Sequence, residues 1–131
     1  MYKKTIKYTD YDGNEREEDF YFNLNKAEIV EMQLSEEGGL QEYIRKIIAA
    51  KDTKQLVSLF KNLVLKAYGE KSPDGRRFVK SDEISTAFSQ TEAYSQFFMD
   101  LALNSEAATE FVNGIIPLDL SEQIKKSVNN N

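Results

Sequence analysis

The stretch YTDYDGNEREEDFYF, from Tyr8 to Phe22, decides the fold because it joins two strand-like segments through a turn. These segments, TIKYT at 5–9 and DFYFNL at 19–24, alternate apolar and polar residues and are rich in aromatic and β-branched types. Both properties are typical of half-buried strands. The Asp12-Gly13 pair between them favours a tight turn. The sequence therefore predicts an N-terminal β-hairpin over residues 2–24.

Two loop lengths fit this hairpin, and each sets a different strand register. A two-residue loop, Asp12-Gly13, places Ile6 opposite Asp19. A three-residue loop that ends at Asn14 places Ile6 opposite Phe20. The longer loop is favoured because it pairs apolar residues with each other, and it requires a left-handed conformation at Asn14. The hairpin then has one apolar face that must pack against another element, formed by Ile6, Phe20, Phe22 and Leu24.

The acidic residues of the same stretch have the spacing that opens a calcium loop. Asp10, Asp12 and Asn14 match the first three ligand positions of an EF-hand. However, Glu15 stands where that loop needs glycine, and Tyr21 stands where it needs glutamate. The flanking segments also resemble strands rather than helices. The sequence therefore predicts no metal site here.

Composition narrows the function classes. The 131 residues include no cysteine and no histidine, which removes the thiol nucleophile, the commonest general base and the commonest transition-metal ligand. No phosphate-binding or nucleophile motif is present, so we expect no catalytic residues, no cofactor and no enzyme activity. The net charge of −5 argues against nucleic acid as a partner. No apolar run approaches the ~18 residues that cross a bilayer, so we expect no membrane partner and a cytoplasmic location.

Charge alternates along the chain in three blocks. The net charge is −5 over residues 1–40, +6 over residues 41–80 and −6 over residues 81–131. The blocks either balance within one molecule or let subunits associate head to tail. The candidate charges for self-association lie in the acidic strand and in the SPDGRRF turn, and they are Glu17, Glu18, Arg76 and Arg77.

After Asn25 the sequence predicts about five helices. Asn25 and Glu28 have the spacing of a capping box, and Leu24 and Ile29 that of a hydrophobic staple. The predicted helices cover about 26–36, 40–51, 53 to Gly69, 82–88, a segment capped by Ser89 that runs to 103, and a segment from Asn104 or Ser105 that closes at Gly114. The fold class is therefore α+β, an N-terminal β-hairpin packed on a helical bundle. We expect one domain over 1–120, helical from 26, and a flexible tail at 121–131.

The segment AYSQFFMDLAL, at 93–103, is apolar on two sides of its helix. Phe97 and Phe98 share one side with Tyr94 and Leu101, whereas Met99 and Leu103 lie on the opposite side. Either both sides are buried or one of them docks a partner. The apolar run IIPLDL leaves the same choice open. The candidate partner-binding residues are Phe97, Phe98, Met99, Leu103, Ile115, Ile116 and Leu118.

The run from Ala67 to Pro117 contains the segments SPDGRRFVKSDE, FSQTEAYSQFFMDL and EFVNGIIP. On these segments the chain resembles the tail assembly chaperones of long-tailed bacteriophages and related prophages, and the hairpin and first helices fit as well. The resemblance implies a mostly helical protein that is not an enzyme. It also implies location in the cytoplasm of the infected or lysogenic host and absence from the mature virion.

The same resemblance implies the partners. Such chaperones bind apolar helical segments of the tape measure protein, keep it soluble, help to recruit tail tube subunits, and often self-associate. An alternative from the residues alone is a small acidic regulatory module, a non-enzymatic inhibitor that mimics nucleic acid. The basic block at 41–80 argues against such a mimic, which needs its acidic charge on one face.

Overall fold

A computed structural model describes residues 1–35, 42, 45–46, 49 and 53–117. Four strands form one antiparallel sheet in the order β1-β2-β3-β4, with β1 Tyr2–Thr9, β2 Glu15–Phe22, β3 Tyr68–Lys71 and β4 Phe78–Val79. The helices of this described part are α1 Lys26–Ser35, α2 Thr53–Ala67, α3 Asp82–Ser89, α4 Glu92–Leu103 and α5 Ser105–Ile115. The predicted α+β class, with an N-terminal hairpin and about five helices, is confirmed.

Two sequence predictions fall largely or wholly outside this description. The helix expected at 40–51 and the tail expected at 121–131 belong to segments of which little or nothing is described. The predicted domain boundary at 120 therefore stays a prediction. Within the described part, buried side chains from both strands of the hairpin and from all five helices form a single hydrophobic cluster.

The hairpin has a longer loop than the sequence predicts. Ile6 lies opposite Glu18 and Thr9 opposite Glu15, so the loop spans 10–14 and the predicted Ile6–Phe20 pairing is wrong by two residues. The Asp10 carboxylate explains the length, because its Oδ1 accepts the backbone N–H groups of Asp12 (3.0 Å) and Asn14 (2.9 Å). A shift of two residues preserves the faces, since side chains alternate with period two. Ile6, Phe22 and Leu24 are accordingly buried and Phe20 is half-buried.

The same carboxylate ties the loop to β2. Arg16 Nε donates to Asp10 Oδ2 at 2.5 Å. This bond, with the backbone donors of the loop, holds the pKa of Asp10 below its ordinary value. The left-handed position is Gly13, with φ of 86°, and not Asn14 as expected. Glycine takes this conformation without steric cost, so the chain can reverse its direction at Gly13.

The second hairpin, β3–β4, is absent from the sequence prediction. The helix that was expected to run to Gly69 ends at Ala67, and Gly69 lies in β3 opposite Tyr21 of β2. A Cβ atom at Gly69 would lie 2.9 Å from the Val79 carbonyl oxygen and 2.8 Å from Cε2 of Phe78. Glycine is therefore required here by the close approach of β4 and not by a helix end.

Helix α5 also passes the glycine that was expected to end it. Gly114 lies within α5, which continues to Ile115. A Cβ atom at Gly114 would lie 2.6 Å from Cδ2 of Tyr2, so this glycine lets β1 pack closely against the helix. Ile116 then adopts an extended conformation, which a residue before proline favours.

Side-chain caps fix the starts of α1, α3, α4 and α5. Asn25 and Glu28 exchange the two predicted capping-box bonds, at 2.8 and 3.0 Å. Ser81 Oγ accepts the Ile84 N–H. Asn104 Oδ1 accepts two N–H groups of α5, so Asn104 is the cap of the two starts that the sequence leaves open. Helix α4 differs, because its cap is Thr91 rather than Ser89. The Ser89 hydroxyl instead donates to the Thr86 carbonyl oxygen in α3.

The short segment between β2 and α1 joins distant parts of the chain. The backbone N–H of Asn23 donates to the Ala67 carbonyl oxygen (2.8 Å), and that of Leu24 donates to the Ile115 carbonyl oxygen (2.6 Å). Lys80 Nζ reaches the same segment and donates to the Asn23 carbonyl oxygen at 2.5 Å and to Glu28 at 2.6 Å. Burial lowers the pKa of the Lys80 ammonium, although Glu28 opposes the shift. The start of α1 is thereby fixed to α2, to α5 and to the residue that follows β4.

Candidate partner-binding surface

Helix α4 presents an apolar outer side. Its inner side is buried in the core through Ala93, Phe97 and Leu101. Met99 is 49% exposed and Leu103 is 80% exposed on the other side. Of the two alternatives that the sequence leaves open, burial of both sides is therefore wrong for the described part of the chain. The pair Met99 and Leu103, four residues apart on one helical face, is called the α4 apolar patch below.

The other candidate residues lie elsewhere. Phe97 and Ile115 are almost wholly buried, and Ile116 is 5% exposed. Phe98 is half-buried and packs against the core, with its ring centroid 5.8 Å from that of Tyr94. Leu118 lies outside the described residues. A binding role for these five stays a prediction, and in this conformation only Met99 and Leu103 of the described candidates are broadly exposed.

A groove that the sequence analysis missed runs beside the patch. It has a volume of about 440 Å³ and lies between β1 and α4. Its strand wall is formed by residues 4–7 with Glu17, and its helix wall by Gln96 and Asp100. Gln96 and Asp100 are one turn apart and follow the α4 face that also carries Met99 and Leu103. No pattern in the sequence marks this groove, because it depends on how the helix sits against the strand.

The candidate acidic charges are already engaged. Glu17 pairs with Lys7 at 3.8 Å, and Glu18 pairs with Arg16 at 3.8 Å. Glu18 also accepts a hydrogen bond from the Tyr8 hydroxyl, which raises the pKa of Tyr8 to about 12. These pairs are exposed, so each contributes little to stability.

The candidate basic charges lie on the β3–β4 turn. The turn is held by Ser72 and Asp74, whose side chains bond to each other at 2.7 Å and accept the backbone N–H groups of Arg77 and Arg76. Gly75, with φ of 74°, completes the predicted turn. Both arginines are exposed, and their guanidinium groups have no ion-pair partner among the described residues.

Sheet topology brings the two charge groups to one end. Successive strands of the sheet are antiparallel, so the loop at 10–14 and the turn at 72–77 both lie where β1 and β3 end. Glu17 and Glu18 stand in β2 close to the first of these turns. The chain does not place its candidate acidic and basic charges at opposite ends of the sheet.

In the part of the chain that is described, neither a metal cluster nor a membrane-spanning helix is present. No group of three or more histidine, cysteine, aspartate or glutamate side chains is arranged to hold a metal ion there. Among the helices of that part, none has the length and apolar character needed to cross a membrane.

Comparison with known proteins gives a match at the level of the family. A family model described as phage tail assembly chaperone matches residues 1–131, which is the whole chain. No curated protein and no solved structure matches it.

Proposed function

The chain belongs to the family of phage tail assembly chaperones, and from this premise we propose that it binds apolar helical segments of the tape measure protein and keeps them soluble. The α4 apolar patch is the surface that we assign to this contact. Tail tube subunits are then recruited to the coated tape measure protein during tail assembly. The protein acts in the host cytoplasm and leaves before the virion is mature.

The exposure of Met99 and Leu103 is the observation that carries this proposal. Full burial of one such side chain contributes about 1.5–3 kcal/mol, so an apolar helix laid across the patch gains a modest amount from each copy of the chaperone. Methionine is flexible and adapts to differently shaped clients. Weak contacts repeated along a long client suit a chaperone that must later be released.

Replacing both patch residues, Met99→Ser with Leu103→Ser, is expected to weaken binding of the tape measure protein by about tenfold or more. The measurement is the soluble fraction of the tape measure protein after co-expression with each chaperone variant. Thermal unfolding of the isolated variant should match the wild type, because both side chains are exposed.

The matched control is Val30→Ser. Val30 is 54% exposed on α1, so this substitution removes an exposed apolar side chain from another part of the surface. It should keep the tape measure protein soluble. If the double variant is folded and solubilises its client as well as the wild type does, the patch is not the client-binding surface.

Recruitment of the tail tube protein is tested separately. Purified chaperone with bound tape measure segment should retain tail tube subunits on an affinity column, and chaperone alone should retain fewer. Equal retention in both cases would contradict recruitment through the client complex.

We also propose self-association through the charges at one end of the sheet. Glu17, Glu18, Arg76 and Arg77 share that end, so two copies related by a twofold axis can place the acids of each against the arginines of the other. This arrangement differs from the head-to-tail order that the charge blocks suggest in sequence.

The double reversal Arg76→Glu with Arg77→Glu is expected to reduce self-association by about tenfold at low salt, since like charges then face each other. Sedimentation velocity over a concentration series measures the effect. Mixing this variant with Glu17→Lys/Glu18→Lys should restore the complex. The control Lys61→Glu changes an exposed charge on α2 and should leave the association constant unchanged. Unaltered association of both reversal variants would overturn the proposal.

A further inference from the structure

Strand β1 forms one edge of the sheet. Among the described residues it has a strand neighbour on one side only, which is β2. Edge strands carry a row of backbone N–H and C=O groups that can pair with a further strand. Here the groove of about 440 Å³ lies beside residues 4–7 of this strand.

The ladder shows which residues of β1 point their backbone groups outward. The Asp10 N–H donates to the Asn14 carbonyl oxygen, and these two residues continue the β1–β2 register. In an antiparallel pair, hydrogen-bonded and non-hydrogen-bonded positions alternate. The even residues of β1 therefore bond to β2, and the backbone groups of Lys3, Thr5 and Lys7 point to the free edge.

Strand β2 gives an independent check of this alternation. The Asn23 N–H donates to the Ala67 carbonyl oxygen, so the odd residues of β2 face β3. Its even residues must then face β1, and the register places even residues of β2 opposite even residues of β1, as in the pair Phe22 and Tyr2. Both strands thus agree that the backbone N–H and C=O groups of the odd residues of β1 point to the free edge.

The lysine side chains of this edge indicate which kind of segment can bind there. Strand β1 contains Lys3, Lys4 and Lys7 and no acidic residue. The groove is also lined by two carboxylates, but Glu17 pairs with Lys7 and Asp100 accepts a hydrogen bond from Gln96 Nε2 at 3.2 Å. Lys3 and Lys7 already have Asp19 and Glu17 nearby on the solvent face, whereas Lys4 is half-buried in the groove and has no ion-pair partner in the described part of the chain. A second copy of β1 would bring three more lysines to the same edge, and like charges on adjacent strands repel.

We propose that this edge of β1 binds an extended segment of another protein that carries acidic side chains at alternate positions. The segment adds to the sheet as a fifth strand and fills the groove between β1 and α4. The backbone of Thr5 and Lys7 supplies the hydrogen bonds, and the ammonium of Lys4 pairs with a carboxylate of the incoming strand. This site adjoins the α4 apolar patch, which takes an apolar helix, but it is lined by Gln96 and Asp100 and not by Met99 and Leu103.

The probe for the test is a blocked peptide of about eight residues, a common strand length, that alternates threonine with glutamate. Its counterpart carries lysine in place of glutamate. The acidic peptide should bind the full chain about tenfold more tightly than the basic one. Hydrogen exchange followed by NMR should slow at the amides of Lys3, Thr5 and Lys7, whereas the amides that bond to β2 should keep their rates.

The decisive variant is Lys7→Pro, because proline removes an outward N–H and leaves the bonds between β1 and β2 intact. It should weaken binding of the acidic peptide by about tenfold. Its matched control is Lys7→Thr, which loses the same ammonium but keeps the N–H, and it should bind the peptide nearly as well as the wild type does. Lys4→Glu should reverse the preference between the two peptides.

Three results would overturn the proposal. The first is equal binding of the acidic peptide to Lys7→Pro and Lys7→Thr, provided that both variants are folded. The second is equal affinity for the acidic and basic peptides. The third is dimerisation of the wild-type chain without peptide that Lys7→Pro abolishes, because the occupant of the edge would then be a second copy.

Discussion

Phe22→Ala is expected to lower the free energy of unfolding by about 3–5 kcal/mol. Phe22 is fully buried at the end of β2. Its ring centroid lies 5.0–6.2 Å from five aromatic rings, which come from β1, β3, α3, α4 and α5 and belong to Tyr2, Tyr68, Phe88, Phe97 and Phe111. Removing the ring therefore leaves a cavity bounded by five elements, and no single one of them can close it.

Chemical denaturation of the purified chain measures this loss. Whole domains are stable by only about 5–15 kcal/mol, so the variant is expected to be partly unfolded at ordinary temperature. Phe98→Ala is the matched control, because Phe98 is half-buried and its one ring partner in the described part is Tyr94. A smaller loss for Phe22→Ala than for Phe98→Ala would show that the ring cluster does not centre on Phe22.

Gly69→Ala is expected to destabilise the fold by about 1–3 kcal/mol. The sign of this change in the free energy of unfolding is informative. In a strand, replacing glycine by alanine normally stabilises a protein by about 0.5–1 kcal/mol. Here the new methyl group would lie 2.9 Å from the Val79 carbonyl oxygen, and a backbone atom cannot rotate away as a side chain can. Pairing between β3 and β4 must therefore loosen.

Glu70→Ala is the control for this variant. Glu70 is the next residue of β3 and is exposed, so its replacement should change the free energy of unfolding by less than about 0.5 kcal/mol. Comparison of the two denaturation curves isolates the steric cost at Gly69. Stabilisation by Gly69→Ala would mean that the spacing between β3 and β4 is wider than the structure shows.

The sequence predicts those parts of the fold that depend on local patterns. Alternation and turn residues locate the first hairpin and its buried face, and cap residues locate the starts of the helices. The register is wrong because the bonds of the Asp10 side chain add two residues to the loop, which outweighs the better pairing of Ile6 with Phe20. A cross-strand pair contributes less than about 1 kcal/mol, so loop chemistry can decide between registers.

Long-range contacts explain the other differences between the predicted and the observed fold. Gly69 and Gly114 both end an apolar periodic stretch, where glycine usually marks a helix end. Their real neighbours are β4 and Tyr2, which are distant or unpredicted in the sequence. The four residues of β3 and two of β4 are too few for alternation to be visible.

The candidate partner-binding surface is also only partly predictable from the sequence. Helical periodicity assigns Met99 and Leu103 to one side of α4, but only packing shows that this side is exposed. The groove beside β1 has no sequence signature, since it depends on the order of strands in the sheet and on the position of α4.

The ring cluster around Phe22 also has a consequence for synthesis on the ribosome. Phe22 packs against Phe111, which is 89 positions later in the chain. At about 5–20 residues per second, the first hairpin emerges about 4–18 seconds before the helix that completes its cover. During that interval the apolar face of the hairpin has no partner from α5. The chaperone therefore exposes apolar surface of its own while it is being made, and its folding is completed only when nearly all of the described chain has emerged.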